Sequence, residues 1–308
     1  MIFNTHRSAA ALAAAMLLAI STGYVQAAEP ISDADTVKIE QITGMKGKLN
    51  KEENVFKVTK PRTDVKVTVD RMVLPPFMGL SPWAGFTPAH GGQLMMMGDM
   101  VVFEDEVNPA MSAALDAGLE VTALHNHFFF DQPKVYFMHV GGMGTAEKLA
   151  NGVRKAQDTI ATIRKSHPAP VQQFDGLVPS SNSISNAPLE TILGQKGESN
   201  NGMFKVTIGR PVTMHGTKVG KEMGVNTWAG FAGTDDQAIV DGDFAVLPGE
   251  LQPVLKSMRG SNINIVSIHQ HMTEEEPRYL FLHYWGKGTA KDLATGVKNT
   301  LDVQAAIH

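Results

Sequence analysis

The stretch LHNHFFFDQPKVYFMHVGGMGTAEKLANGV at 124–153 returns as IHQHMTEEEPRYLFLHYWGKGTAKDLATGV at 268–297. The two align without a gap at an offset of 144. Working outward, EVNP (106–109) matches ELQP (250–253) at the same offset, and GLSPWAGF (79–86) matches GVNTWAGF (224–231) at an offset of 145. VFKVTKPR at 55–62 is echoed by MFKVTIGRP at 203–211. Two copies of so long a period are a domain duplication rather than a solenoid, which stacks three or more short repeats. The first module covers 37–167 and the second 188–308. The segment 168–187 between them is rich in Pro, Ser and Asn and reads as a linker.

Periodicity sets the order within a module. Val55–Thr59, Val65–Val69, Trp83–Thr87 and Leu94–Phe103 alternate like strands. The stretch 104–118 reads as a helix, with acidic residues in its first turn and Gly118 at its end. Glu120–Phe130 and Lys134–Gly141 read as a hairpin around Asp131, Gln132 and Pro133. Thr145–Arg164 is an amphipathic helix. The expected fold is α+β: two tandem homologous modules, each a mainly antiparallel sheet with two helices, related by an approximate two-fold. An open sheet exposes its edges, so the copies are expected to pack through those edges or through their helices.

Six histidines draw the same figure twice: H-x-H, three residues, a carboxylate, seven residues, then H. They are His125, His127 and His139 in the first copy, and His269, His271 and His283 in the second. Residues i and i+2 of a strand share a face. A turn centred on residue 132 places His125 directly opposite His139, and the second copy repeats this about residue 276. Three neutral imidazoles with an open position suit zinc, copper, iron or manganese, so a divalent transition metal is the expected cofactor. Asp131 and Glu275 are candidates to support the ligands from behind. Glu106, at the start of the helix before the hairpin, is the candidate general base, and Glu250 is its supporting counterpart. The bland alternative is that all six histidines are buried core residues, since both faces of the hairpin are largely apolar. Asp99 and Asp243 each follow a glycine and read as turn residues. Trp83 and Trp228 read as core, and so do most of the methionines. Thioethers near histidines also admit a copper reading.

Composition narrows the classes. With 27 basic and 31 acidic residues and no basic block, nothing supplies a nucleic-acid-binding surface. The absence of cysteine excludes disulfides, thiolate metal sites and a cysteine nucleophile. Residues 1–27 read as a secretory signal: Arg7, an apolar stretch from Ala9 to Ile20, and a small-x-small site ending at Ala27. No stretch reaches the length of a membrane span. The expectation is a soluble protein of the periplasm or the exterior, binding a small-molecule or envelope-derived ligand. Its oligomeric state is open.

The strings FKVTKPR, LPPFMGLSPWAGF, MGDMVVFEDEVNP, GLEVTALHNHFFF and VYFMHVGG resemble the LppY/LpqO family of exported bacterial proteins of unknown function. The resemblance spans most of 40–165 and continues more weakly through the second copy. There Phe128–Phe130 are replaced by Met272–Glu274, and Gly141 by Trp285. It implies export, and it points to His125, His127 and His139 as the better-kept set.

Overall fold

The computed structural model of the protein describes residues 29–307, so the signal read over 1–27 lies outside it. The first copy supplies α1 (Asp33–Thr43), β1 (Lys46–Asn50), β2 (Val55–Thr59), β3 (Thr68–Val69), β4 (Met72–Val73), β5 (Trp83–Pro88) and β6 (Leu94–Phe103). It continues with α2 (Glu104–Asp116), β7 (Glu120–His125), β8 (Asp131–Gln132), β9 (Val135–Gly144) and α3 (Ala146–Ser166). The second copy runs in parallel through α4 (Asn186–Leu193), β10 (Glu198–Asn200), β11 (Met203–Gly209), β12 (Val212–Met214), β13 (Thr217–Val219), β14 (Asn226–Gly233) and β15 (Ala238–Val246). It ends with α5 (Leu251–Gly260), β16 (Asn264–His269), β17 (Glu275–Glu276), β18 (Leu280–Gly288) and α6 (Ala290–Ala305).

Twelve strands form one sheet in the order β1-β2-β5-β6-β9-β7-β16-β18-β15-β14-β11-β10. Read from the centre outward, each strand meets its counterpart from the other copy. The join is the antiparallel pair β7–β16, through Leu124 and Ile268. Those residues are equivalents at the offset of 144, so a local two-fold passes between them. The copies therefore pack through their edges, as an open sheet demands. The two outer edges are blunted: β10 has only three residues, and β1 carries Lys46 and Lys48.

Helices from both copies share one core on one face of the sheet. Leu94, Met96, Met100 and Val102 of β6 point into it, and Val101 and Phe103 point away. The Gly-Thr pairs at 144–145 and 288–289 launch the long helices. Thr145 accepts from the Lys148 N–H at 3.2 Å, and Thr289 from the Asp292 N–H at 3.0 Å. On the other face, a three-stranded lid covers part of each copy: β4-β3-β8 packs over β6 and β9 in the first, β13-β12-β17 over β15 and β18 in the second. Each lid closes a small apolar core, around Phe103 and Phe137 in one copy and around Ala245 and Phe281 in the other.

The expected hairpin is corrected here. β7 stops at His125, and the chain leaves the sheet until β8 joins the lid. Lid formation takes residues 126–134 out of the ladder. Helices α1 and α4 have no counterpart in the sequence reading. They lie against α3 and α6, with Ile39, Leu189 and Leu193 in the shared core.

The copies are also interlocked. Beyond the single Leu124–Ile268 pair, β7 and β16 diverge at matching bulges, Val121/Ala123 and Ile265/Ser267. Asn108 of α2 fills one gap, donating to the Ile265 carbonyl at 3.0 Å and accepting from its N–H at 2.7 Å. Gln252 of α5 does the same for Val121, at 2.9 Å in both directions. Asn108→Ala strands both Ile265 groups in a buried setting. It is expected to cost about 2 kcal/mol, seen as a lower denaturant midpoint. A cost below about half that would show that water reaches the gap.

Candidate metal centre

The three histidines of each copy converge on the face opposite the helices. In the first copy His125 pairs with Phe137, and His139 with Ala123. The register is thus two residues from that expected. A shift of two keeps every side chain on its face, so the imidazoles still meet. The His125 and His139 rings stack with centroids 5.2 Å apart. His127 lies past the strand end, where it stacks on Phe137 at 3.3 Å and brings its Nε2 to 3.2 Å from that of His125. The second copy repeats the figure. His269 and His283 stack at 4.6 Å, and His271 stacks on Phe281 at 3.6 Å.

The carboxylate of each centre is one that the sequence reading assigned to a turn. Asp99 stands directly across from His139 in the β6–β9 ladder, and Asp243 across from His283 in β15–β18. Both are mid-strand and nearly buried, at 8% and 3% exposure. The glycine before each is a packing requirement, not a turn. A Cβ on Gly242 would come within 2.2 Å of the Tyr284 ring, and one on Gly98 within 2.8 Å of the Trp83 carbonyl. In the second copy Asp243 Oδ2 lies 3.1 Å from His271 Nε2 and 4.0 Å from His269 Nε2. Asp243, His269 and His271 place one donor atom each within 4.8 Å of one another. Backbone carbonyls orient the rings. His271 Nδ1 donates to Gly224 O at 2.9 Å, and His283 Nδ1 to Gly242 O at 3.2 Å. Gly224 has φ 79°, a left-handed turn that the repeated GVNTWAGF string keeps open with glycine. The copy in which carboxylate and imidazoles close together is therefore the second, not the first.

Beneath the helices the hairpin is apolar, and on the other face its Val135 and Phe137 are covered by the lid. The bulge turns Val121 to the same side as Leu124, which leaves the histidine side open to solvent. All six imidazoles are partly or well exposed. One residue either side of the Leu124–Ile268 pair, His139 and His269 flank Ala123, while His125 and His283 flank Ser267. At a strand spacing of about 4.8 Å, the two centres lie on one face roughly 10 Å apart.

The other candidates go elsewhere. Glu106 is fully buried and belongs to a charge network. It accepts from Arg62 at 2.5 and 2.9 Å and from the Phe103 N–H at 3.0 Å, and Arg164 Nε sits 2.7 Å away. A carboxylate so engaged has its oxygens taken up by two arginines and a backbone N–H, and none of the six imidazoles is among its partners here. Glu250 is its counterpart, bound by Arg210 at 2.8 Å, Gln304 at 2.7 Å and the Leu247 N–H at 2.8 Å. Asp131 accepts from the Val135 N–H at 2.7 Å and from Lys134 at 3.1 Å; Glu275 accepts from the Tyr279 N–H at 3.2 Å. These two acids close the lid turns and do not support the histidines. Trp83 and Trp228 are half-exposed on the open face, each under a lysine ammonium, Lys57 at 4.1 Å and Lys205 at 4.2 Å.

Electrostatics favours the neutral form of three of the rings. Burial lowers the pKa of His125, with His127 and His139 adding to it, and burial also lowers that of His127 and His269 against the pull of Asp99 and Asp243. Burial raises that of Asp99, against the three imidazoles beside it. One carboxylate oxygen of each aspartate, Oδ1, is buried without a hydrogen-bond partner. Neutral imidazoles beside an under-satisfied carboxylate are a donor set suited to a divalent cation.

No helix among the described residues is long and apolar enough to cross a membrane. No curated protein matches the chain. Among solved structures, it is similar to the double-ringed trimeric shell protein MSM0271 of the RMM microcompartment, at 12% identity and a TM-score of 0.21, covering 72% of this chain and 86% of the other. It is also similar to the trimeric bacterial microcompartment shell protein PduB, at 9% identity and a TM-score of 0.22, covering 84% and 91%. One sequence family matches both copies, over 37–159 and 187–303, and by that match the chain belongs to the family described as Domain of Unknown Function (DUF1259).

Proposed function

We propose that this protein binds divalent transition metal at two related centres, Asp243–His269–His271–His283 and Asp99–His125–His127–His139. One observation carries the reading. A carbonyl can only accept, so His271 commits its Nδ1 proton to Gly224, and its Nε2 then faces Asp243 Oδ2 at 3.1 Å. Two acceptors at that distance repel unless a proton or a metal ion sits between them, and with both neighbouring imidazoles beside it the pair suits a metal. Ligand atoms about 2.0–2.2 Å from a tetrahedral zinc lie roughly 3.4 Å from each other, close to this separation. A metal held there would have an open coordination position and supply Lewis acidity toward a small-molecule or envelope-derived ligand. The likeness to LppY/LpqO proteins and the leader at 1–27 support export to the periplasm or the exterior. Metal analysis of protein purified without a histidine tag tests the reading. About two equivalents of zinc, copper, iron or manganese are expected, and a metal-free chain whose melting point no such ion raises would refute it.

The pH dependence follows from the lowered histidine pKa values. Imidazole binds metal only when neutral. His125, His127 and His269 resist protonation, so metal should stay bound below the ordinary value of about 6.5 and leave at more acid pH. Stability has the same sign. A histidine with a depressed folded pKa lowers stability as pH falls from its unfolded value toward its folded one, because over that range the unfolded chain binds protons the folded one refuses. Metal content measured from pH 7.5 to 4.5 should show retention at pH 6.5. Full release there would contradict the assignment.

A second reading, a ligand-binding module with structural histidines, has one observation in its favour. The loop that carries His127 continues into Phe129 and Phe130, which are 78% and 77% exposed. Exposed aromatics next to the histidine face suit ligand capture. Under this reading Phe129→Ala weakens ligand binding while no metal is found.

A further inference from the structure

The open face of the first copy carries sulfur that its packing does not use. On β6 the residues alternate, and Met96 and Met100 fill the helix-side core as methionines commonly do. Met95 and Met97 point the other way and are 42% and 58% exposed. Met95 pairs directly with Met143 of β9, itself 46% exposed. Met97 pairs with Gly85 on one side and Gly141 on the other, so no side chain crowds it across either strand. Directly paired residues on one sheet face stand about 5 Å apart and diagonal ones about 7–8 Å, within reach of long side chains. The three thioethers thus occupy one patch, with unhindered space above it. One step farther along the same strands lie Asp99 and His139.

The second copy serves as a built-in comparison. Its equivalent positions are Ile239 paired with Lys287, and Asp241 paired with Trp285. None of those four positions is a methionine. The duplication has kept the imidazole figure in both copies and the sulfur row in one. Exposed methionine gains little from burial, while its sulfur is a soft ligand that selects monovalent copper over hard divalent ions. With no cysteine in the chain, thioethers are the soft sulfur ligands it has.

We propose that Met95, Met97 and Met143 form a thioether site for monovalent copper, present in the first copy alone and distinct from the imidazole centres. It does not rest on the divalent metal reading, because none of the six histidines is needed for it. The test is an anaerobic titration of the full chain with Cu(I) in competition with a chromogenic chelator. The comparison variants are the triple Met95→Leu, Met97→Leu, Met143→Leu and the single His127→Ala. Leucine keeps the size and apolarity of exposed side chains, so the triple variant should stay folded, with an unchanged melting point as its check. Wild type should bind one Cu(I), with sulfur neighbours in X-ray absorption at the copper edge. The triple variant should lose affinity by more than the roughly 10–100-fold that loss of a merely supporting group costs. His127→Ala should bind as wild type does. The proposal is overturned if wild type binds no Cu(I), if the triple variant binds as well as wild type, or if the copper shell is nitrogen and His127→Ala loses the ion.

Discussion

Glu106→Ala is expected to lower the unfolding free energy by about 3–5 kcal/mol, the usual cost of removing one partner from a buried ion pair. Glu106 has no exposed surface, and the Arg62 and Arg164 side chains around it are 8% and 6% exposed. Burial works against the Arg62 charge, and Glu106 and Asp64 more than restore it, so its pKa is raised. Take Glu106 away and two guanidiniums remain in the interior. Asp64 and Asp105 answer them only in part, from more exposed positions. The helix α2 also loses the carboxylate that caps it through the Phe103 N–H. Among the described residues Glu250 holds one arginine, Arg210, which is 19% exposed, beside Gln304 and the Leu247 N–H, so Glu250→Ala should cost less, about 2 kcal/mol. Denaturant unfolding of the two variants beside wild type measures both. Equal losses would mean that the second arginine of the first network contributes nothing.

Removing the aspartate of a centre should abolish its metal-induced stabilisation. At a free metal concentration 100 times the dissociation constant, one site adds about 2.7 kcal/mol, or a rise in melting temperature of roughly 5 °C for a chain of this size. Asp243→Ala and His271→Ala should each leave the first centre working, so bound metal falls from two equivalents to one and the residual rise is halved. His127→Ala should do the same to the first centre, and Asp243→Ala combined with His127→Ala should leave no response. His167, in neither figure, gives the control His167→Ala. Melting curves with and without Zn²⁺, Cu²⁺ and Mn²⁺ read all of these. If Asp243→Ala responds as wild type does, the aspartate is not a ligand and the histidines act alone.

Much of this was legible in the chain. The repeated string from Leu124 announces the duplication, and Leu94–Phe103 reads as a strand at the bounds it has. The i, i+2 rule brings His125, His127 and His139 together even though the register differs by two, because face depends only on parity. The misreadings share a cause. Gly98-Asp99 and Gly242-Asp243 look like turns because glycine before aspartate usually makes one. Here the glycine is demanded by Trp83 and Tyr284 on neighbouring strands, which are far away in sequence. The amides of Asn108 and Gln252 stood in the repeated EVNP and ELQP strings beside the glutamates. Nothing local says that they bridge to the other copy.

What the sequence determined by itself is therefore what depends on local period and on repetition: strand faces, helix starts at the Gly-Thr pairs, the two-fold design and the pairing of histidines within each copy. The tertiary structure alone decided which carboxylate joins them. By spacing the carboxylate is Asp131, and Asp99 reads as a turn residue. The β6–β9 ladder sets Asp99 across from His139, while the lid draws Asp131 away to close its own turn on Val135. It also decided that Glu106 sits in a buried charge network, since only the folded chain brings Arg62 and Arg164 to it from 44 residues before and from the far end of α3. Long-range contacts carry no periodic signature, and burial reassigns a charged side chain to whichever opposite charge the fold supplies.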